Sequence, residues 1–363
     1  MKVRLQTMKY NFPIERTGRP KAKPDPNTLK FGAEFADHMF LMEHTKEEGW
    51  HDGKVMAYGH ICLEPAAAVF HYAQECFEGL KAYKSKDGRV LLFRPGMNAK
   101  RLNVSAVRLC MPPVDEELFV EAIKTLVRTD KDWIPEKEGT SLYIRPFIAA
   151  TEPFLGVRAA EQFMFVIILC PVGPYYEGGL SPTRLLVEDE YVRAALGGTG
   201  FTKAGGNYGA ALKAQEKAHS HGCEQVLWLD TAERRYVEEI GTSNAFFVFG
   251  DEIITPPAGG TILPGVTRDS IIALLKKWGN KVTERRISID EVLEGVKTGT
   301  LSEMFATGTA AVISPVGELI WKGEKTVIGG GSIGGLAQKL YDELYGIQTG
   351  EVEDHMGWTV EVE

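Results

Sequence analysis

Gly197 to Gly209 reads GGTGFTKAGGNYG: one lysine, Lys203, set among glycine, alanine and threonine and followed five residues later by Tyr208. Glycines at this density let a backbone approach a ligand closely. A phosphate-binding P-loop needs glycine directly before the lysine and serine or threonine directly after it. Thr202 and Ala204 stand there instead, so that reading fails. What remains is a lysine in a pocket of small residues, which desolvation can strip of charge and make an amine nucleophile. On local sequence alone, a solvated lysine among turn glycines is the plainer reading, and the rest of the chain decides between the two.

Three other stretches bear on it. Leu263–Thr267, LPGVT, opens a helical pattern, and the free N–H groups of a helix start favour a phosphate. Simple capping by Thr267 explains the same residues. Thr307–Ala310, TGTA, is a tight glycine turn with hydroxyls that suits an anion or serves as an ordinary β-turn. In Glu238-Glu239-Ile240-Gly241-Thr242, strand alternation sends one of the two acids inward, and a buried carboxylate needs a cationic partner. Taken together, a desolvated lysine, two anion nests, an inward acid and a tyrosine suggest pyridoxal 5'-phosphate (PLP). The lysine would form a Schiff base, and the acid would keep the ring nitrogen protonated so that the ring works as an electron sink.

The chain of 363 residues is long enough for two domains. Its 44% hydrophobic and 25% charged residues are ordinary globular composition and argue against collagen-like, disordered and disulfide-scaffold classes. With 41 basic and 49 acidic residues the net charge is −8, a poor basis for nucleic-acid binding. Five widely spaced cysteines include no C-x-x-C, which fits reduced thiols in a cytoplasmic protein. The longest apolar run, Phe163–Val172, is half a membrane span and reads as a buried strand. The first 27 residues lack the apolar core of a secretory signal and read as an irregular arm.

Periodicity places a short strand at Arg89–Arg94, stopped by Pro95, helical spacing from Met97, and a helix opened by Asp115 with Glu116 and Glu117 behind it. Strands follow at Leu142–Ile148 and Phe163–Leu169. After a Gly/Pro-rich stretch at Gly173–Pro182, strands are expected at Leu185–Val187, Gln225–Leu229, Arg235–Ile240 and Ala245–Phe249. Val226–Leu229 and Tyr236–Ile240 read as a hairpin across TAERR. Helices are expected at Val266–Trp278, from the capping box Ser288-x-x-Glu291, and at Leu336–Tyr345. Gly329–Gly334, GGGSIG, fits G-x-G-x-x-G, but only 29 residues follow it, too few for the rest of a dinucleotide fold. It reads as a glycine link before a docking helix. His219 and His221 read as helix-end histidines and not as a metal site.

The motifs FEGLKAY, LFRP, SLYIRP, EPFLGV, GGTGFTKAGGNYG, GCEQVLWL, EEIGTSN, ILPGVTR and FATGTAAV follow FGAEFADHM at Phe31 in order and end at Val312, within a likeness that extends to about Gly346. In these the sequence resembles the branched-chain amino-acid aminotransferases of the fold type IV PLP enzymes. The resemblance implies an α+β, D-amino-acid-aminotransferase-like fold of two domains. Residues 1–172 would form a smaller α/β domain with its N-terminal arm, 173–182 an interdomain loop, and 183–363 a larger, strand-rich pseudo-barrel domain binding PLP.

By the same resemblance, Lys203 carries PLP and moves the proton between the substrate α-carbon and the cofactor. Glu239 faces the ring nitrogen and Tyr208 the ring oxygen. Arg94, the backbone at Val266 and Thr267, and Thr309 clamp the phosphate. Phe31, Phe77, Tyr143, Tyr175, Tyr208 and Thr242 line an apolar pocket, and Thr242 also belongs to the cofactor set. Thr309 and Ala310 backbone groups with Tyr143 suit the α-carboxylate, while Arg145 with Tyr72 suits glutamate's distal carboxylate. Leu155 and Val157 reach the neighbouring subunit's site, and Tyr72 is contributed across the dimer, so a homodimer is implied. No metal is expected. The implied reaction is ping-pong exchange between L-leucine, isoleucine or valine and 2-oxoglutarate, giving branched-chain 2-oxo acids and glutamate. A single methylene discriminates by only about 1–3 kcal/mol, so all three amino acids should be accepted. Ala311 and Ser314 replace the C-x-x-C of some animal members, so thiol regulation there is not expected. Another type IV enzyme, which would lack FEGLKAY and SLYIRP, and a nicotinamide oxidoreductase using GGGSIG are the competing readings.

Overall fold

The computed structural model describes residues 10–174 and 180–363. Tyr175 and half of the expected 173–182 loop lie outside them. In chain order the elements begin with β1 (His38–Thr45), β2 (Gly49–Ala57), α1 (Ala68–Tyr72), β3 (Glu75–Phe77), β4 (Leu80–Lys84) and β5 (Val90–Phe93). Next come α2 (Pro95–Arg108), α3 (Glu116–Thr129), β6 (Ser141–Ala150), β7 (Phe163–Val172) and β8 (Thr183–Glu188). Then follow α4 (Gly205–Ser220), β9 (Gln225–Leu229), β10 (Val237–Ile240), β11 (Ser243–Phe249), β12 (Glu252–Thr255) and α5 (Val266–Lys277). The chain closes with β13 (Lys281–Glu284), α6 (Ile289–Thr298), β14 (Leu301–Gly308), β15 (Val312–Trp321), β16 (Glu324–Val327), α7 (Gly335–Thr349) and β17 (Thr359–Glu361). Two compact units result: the chain through Gly173 joined by Val360–Glu363, and Pro174–Thr359.

The first unit is built on a sheet of order β17-β5-β4-β6-β7-β1-β2, with β3 beside β6. Alternation along β6 and β7 sends Leu142, Ile144, Ile148, Phe165, Ile167 and Leu169 to one face, where α2 and α3 bury Leu102, Phe119, Ile123 and Leu126 against them. The opposite face of β6 carries Tyr143 and Arg145. α3 starts as its sequence dictates, since the Asp115 carboxylate accepts the N–H groups of Glu117 and Leu118 at 3.0 Å each. Pro95, expected only to stop a strand, also occupies the first turn of α2, where its missing N–H costs nothing.

Glu78, between β3 and β4, is fully buried and takes a forked contact from Arg101 of α2: Nε to Oε1 at 2.7 Å and Nη2 to Oε2 at 2.8 Å. Asn98 Nδ2 adds a 2.8 Å bond to the same carboxylate. This pair ties the FEG turn to the helix behind the sheet.

The second unit is a closed ring. β10, β9, β8, β15, β14 and β11 pair in that order and β11 pairs back to β10, with β12 and β13 extending it and β16 beside β15. This is the pseudo-barrel the resemblance implied. Leu185, Leu227, Ala245, Phe247, Met304 and Leu319 share a core with Ile289 and Val292 of α6. The alternate residues Leu186, Val226 and Trp228 pack on α4. The hairpin across TAERR is present, but its second strand starts at Val237. The N–H groups of Arg235 and Tyr236 are taken by the Asp230 carboxylate, at 3.0 and 2.7 Å, in place of a strand partner. The capping box also forms, with Glu291 N–H donating to Ser288 Oγ at 3.1 Å.

Breaking one side of a buried ion pair strands the other charge. Arg101→Met is therefore expected to cost about 3–5 kcal/mol in urea unfolding, whereas Lys100→Met on the exposed side of α2 should stay within about 0.5 kcal/mol. Equal losses would show that the Glu78–Arg101 contact adds nothing to stability.

Candidate active site

The lysine loop is held by its own side chains. Asn207, in the first turn of α4, donates from Nδ2 to the carbonyls of Thr199 and Thr202 at 2.9 and 3.0 Å, and its Oδ1 accepts from the Thr199 hydroxyl at 2.7 Å. Gly200 is required by close approach, because a Cβ there would sit 2.5 Å from the Thr261 carbonyl oxygen. The loop delivers Lys203 half-buried to the start of α4, where its Nζ donates to the Tyr208 hydroxyl at 2.8 Å.

Glu239, on β10, is 1% exposed. Its Oε1 accepts the Leu263 N–H at 2.9 Å and Asn244 Nδ2 at 3.3 Å, and its Oε2 lies 2.7 Å from Arg193 Nε. Burial is the largest influence on this carboxyl and pushes it up to about 7, against the pull of Arg193, the Leu263 N–H and Lys203. The expectation that alternation buries only one acid of the pair is corrected here. Glu238 is also buried, because the loop carrying Thr261 covers its side of the strand and Thr261 Oγ1 bonds its carboxylate. Burial raises the Glu238 carboxyl as well.

Register carries the site across the sheet. Glu239 pairs with Asn244, and Asn244 with Thr307. Asn244 also bonds the Leu263 carbonyl at 2.9 Å, and a Cβ on Gly265 would fall 2.1 Å from its Oδ1, so the start of α5 is fastened to the same row. No side chain caps α5, so its first turn, at Val266 and Thr267, has the uncapped N–H groups that favour an anion. Thr309 and Ala310 form the β14–β15 turn, and the exposed Thr242 lies in the β10–β11 turn. These turns touch, since a Cβ on Gly308 would lie 2.9 Å from Ser243 Oγ. Thr307 Oγ1 is buried with no hydrogen-bond partner among the described residues. An amine, an opposed buried carboxylate, an open helix start and an orphan hydroxyl fit a phosphorylated pyridine.

The first unit assembles a second group. Arg145 donates from Nη2 to the Tyr143 hydroxyl at 3.0 Å, and its guanidinium lies over the Phe77 ring at 4.6 Å. Phe31 meets Tyr143 edge-on at 4.8 Å. Gly79 is fixed by this group, because a Cβ would come within 2.1 Å of the Tyr143 hydroxyl. Arg145 Nε is buried without a partner among the described residues. Tyr72 does not join this group; its hydroxyl donates to the Leu155 carbonyl. Tyr72, Leu155 and Val157 are all exposed, Val157 by 87%. Arg94 caps α2 half-buried in the left-handed region at φ 47°.

Arg193, Asn207 and Asn244 are site residues the sequence reading missed. Asn244 closes the EEIGTSN motif, but nothing local marks Arg193, ten residues before the lysine. GGGSIG is a short helical turn before α7, whose Leu336 and Ala337 N–H groups are already taken by Glu303 at 2.9 and 3.0 Å. That contact leaves no room for a dinucleotide phosphate.

Because the fold favours the neutral form of Glu239, its ionisation between about pH 4.5 and 7 removes stability. Glu239→Gln lacks that slope. With no ligand bound, its melting temperature relative to the parent should therefore rise from pH 5 to pH 8. A pH-independent difference would show that the carboxyl is not raised.

The family model described as "Amino-transferase class IV" matches residues 75–319. Branched-chain-amino-acid aminotransferase 2 of Bacillus subtilis (strain 168) is 55% identical over 98% of this chain and 98% of its own length. The probable branched-chain-amino-acid aminotransferase of Staphylococcus aureus (strain N315) is 53% identical over 96% and 98%. Among solved structures, the Escherichia coli branched-chain amino acid aminotransferase superposes with a TM-score of 0.75 at 27% identity, covering 90% of this chain and 99% of that one. The T.th. branched-chain amino acid aminotransferase solved with pyridoxamine 5'-phosphate gives 0.74 at 26% identity, covering 89% and 98%. The family match runs through both units and takes in the lysine loop, β10 and the start of α5 alike, and the chain belongs to the class IV aminotransferases.

Proposed function

We propose that this protein is a branched-chain-amino-acid transaminase, exchanging amino groups reversibly between L-leucine, isoleucine or valine and 2-oxoglutarate. The observation that carries the reading is the Lys203 amine bonded to Tyr208 beside the buried Glu239, in a chain more than half identical to a branched-chain aminotransferase over nearly its full length. The cofactor is PLP, which withdraws electrons from the substrate α-carbon when bound. Val266 and Thr267 backbone, Thr309 and Arg94 hold its phosphate, and Glu239 holds a proton on its ring nitrogen. Tyr208 orients the Lys203 amine, which takes the α-proton and returns it.

The substrate side divides its labour. Phe31, Phe77, Tyr143 and Tyr208, with Tyr175 and Thr242, bury a branched side chain, worth roughly 25 cal/mol per Å². Thr309 and Ala310 with Tyr143 bind the α-carboxylate. Arg145, whose buried Nε has no partner among the described residues, supplies a cation to glutamate's distal carboxylate and stays on the Phe77 ring when leucine is bound. The exposed Phe70, Tyr72, Phe154, Leu155 and Val157 support a homodimer in which this loop and Tyr72 serve the neighbouring site. A cytoplasmic location accords with five free cysteines, and no helix among the described residues is long and apolar enough to cross a membrane.

The purified protein with PLP should show a visible band that bleaches with L-leucine and recovers with 2-oxoglutarate. A band that only a D-amino acid bleaches would refute the substrate, and no band would refute Lys203 as anchor. Lys203→Ala should fold and lose turnover entirely. Arg145→Met should raise KM for 2-oxoglutarate at least about tenfold while changing KM for leucine little; equal rises would refute the assignment of Arg145.

A further inference from the structure

We propose that Arg193 is a positioning residue for the transamination, setting the charge of Glu239 and through it the protonation of the cofactor's ring nitrogen. The proposal rests on the reading of Glu239 given above. Arg193 lies in the segment between β8 and the lysine loop, and its side chain is 6% exposed. Its guanidinium joins three pieces of the site. Nε lies 2.7 Å from Glu239 Oε2, and Nη1 donates to the Thr261 carbonyl at 2.7 Å and to the Gly200 carbonyl at 3.2 Å. Gly200 precedes Lys203 by three residues, and Thr261 leads into Leu263, whose N–H holds the other Glu239 oxygen at 2.9 Å.

Glu239 needs such a partner because burial favours the neutral acid and Arg193 opposes that preference. The charged groups acting on it are few. Lys203 faces it from the loop, Arg193 from the preceding segment, and Glu238 sits beside it on β10. Asn244 of β11 and the Leu263 N–H are neutral donors. Glu238 and burial push toward protonation, while Arg193 is the foremost influence the other way. A neutral Glu239 cannot hold a proton on a pyridine nitrogen. Lys203 cannot replace Arg193 as the fixed countercharge, since its amine is the group that must lose and regain a proton during turnover. A lysine at position 193 would keep charge but lose the planar fork that reaches Glu239, Gly200 and Thr261 together.

The test uses holoenzyme loaded with PLP labelled with ¹⁵N in the ring. The parent should show a protonated ring-nitrogen shift from pH 6 to 9. Arg193→Gln should move that shift toward the unprotonated position, as Glu239→Gln does, and Arg193→Lys should fall between them. Arg193→Gln should lower kcat about a hundredfold and leave KM for leucine within about threefold. In a Glu239→Gln background the same change should cost less than about threefold, because the two residues act as one unit. That double variant removes both charges and strands neither, so it and Arg193→Lys keep the test open if the single glutamine variant folds poorly. A parent-like ¹⁵N shift in Arg193→Gln, or a full second loss of kcat in the double variant, would overturn the proposal and leave Arg193 a bracing residue only. A parent-like shift in Glu239→Gln would overturn the ring-nitrogen assignment first, and this proposal with it.

Discussion

The structure of the second unit turns on a carboxylate placed where water cannot reach it. Glu239 is 1% exposed, and three donors are arranged around it: the Arg193 guanidinium, the Leu263 N–H and the Asn244 amide. Each donor belongs to a different segment, so stabilising one side chain fixes the approach to the lysine loop, the lead-in to α5 and the facing strand β11. A carboxylate buried without such donors would take up a proton. The strand register then extends the same order to Thr307 and the β14–β15 turn.

The first unit uses a simpler constraint. A strand offers two faces, and α2 and α3 occupy one of them. Whatever chemistry β6 carries must then stand on the other, where Tyr143, Arg145 and Phe77 meet. The Glu78–Arg101 pair acts from behind, pinning the turn whose Gly79 lies against the Tyr143 hydroxyl. Precision at the polar face therefore depends on a buried ionic contact at the rear.

Much of this was legible in the sequence where local chemistry decides the outcome. Asp115 before two glutamates gave a capped helix, Ser288 and Glu291 gave another, and the apolar run from Phe163 gave a central strand. Lys203 and Tyr208 were visible because glycine and threonine crowd around them. Long-range pairing was not. Alternation alone buries one of Glu238 and Glu239, and only a covering loop that meets Glu238 through Thr261 shows why both are inside. Arg193 left no local mark, since a guanidinium that bridges Glu239, Gly200 and Thr261 is defined by residues up to 68 positions away. The strand expected from Arg235 starts later because Asp230 takes its first N–H groups.

Arg94, at the start of α2, is a residue whose side chain and backbone pull in different directions. A side chain held at φ 47° is strained by a Cβ that glycine lacks. Conformation alone would place glycine there, one residue before Pro95. If the Arg94 guanidinium holds the cofactor's phosphate as proposed above, selection for thermal stability and selection for that group point to different residues at this position. Stabilised variants chosen without a demand for a guanidinium here would be expected to relax at this position first, trading Arg94 for an unstrained turn.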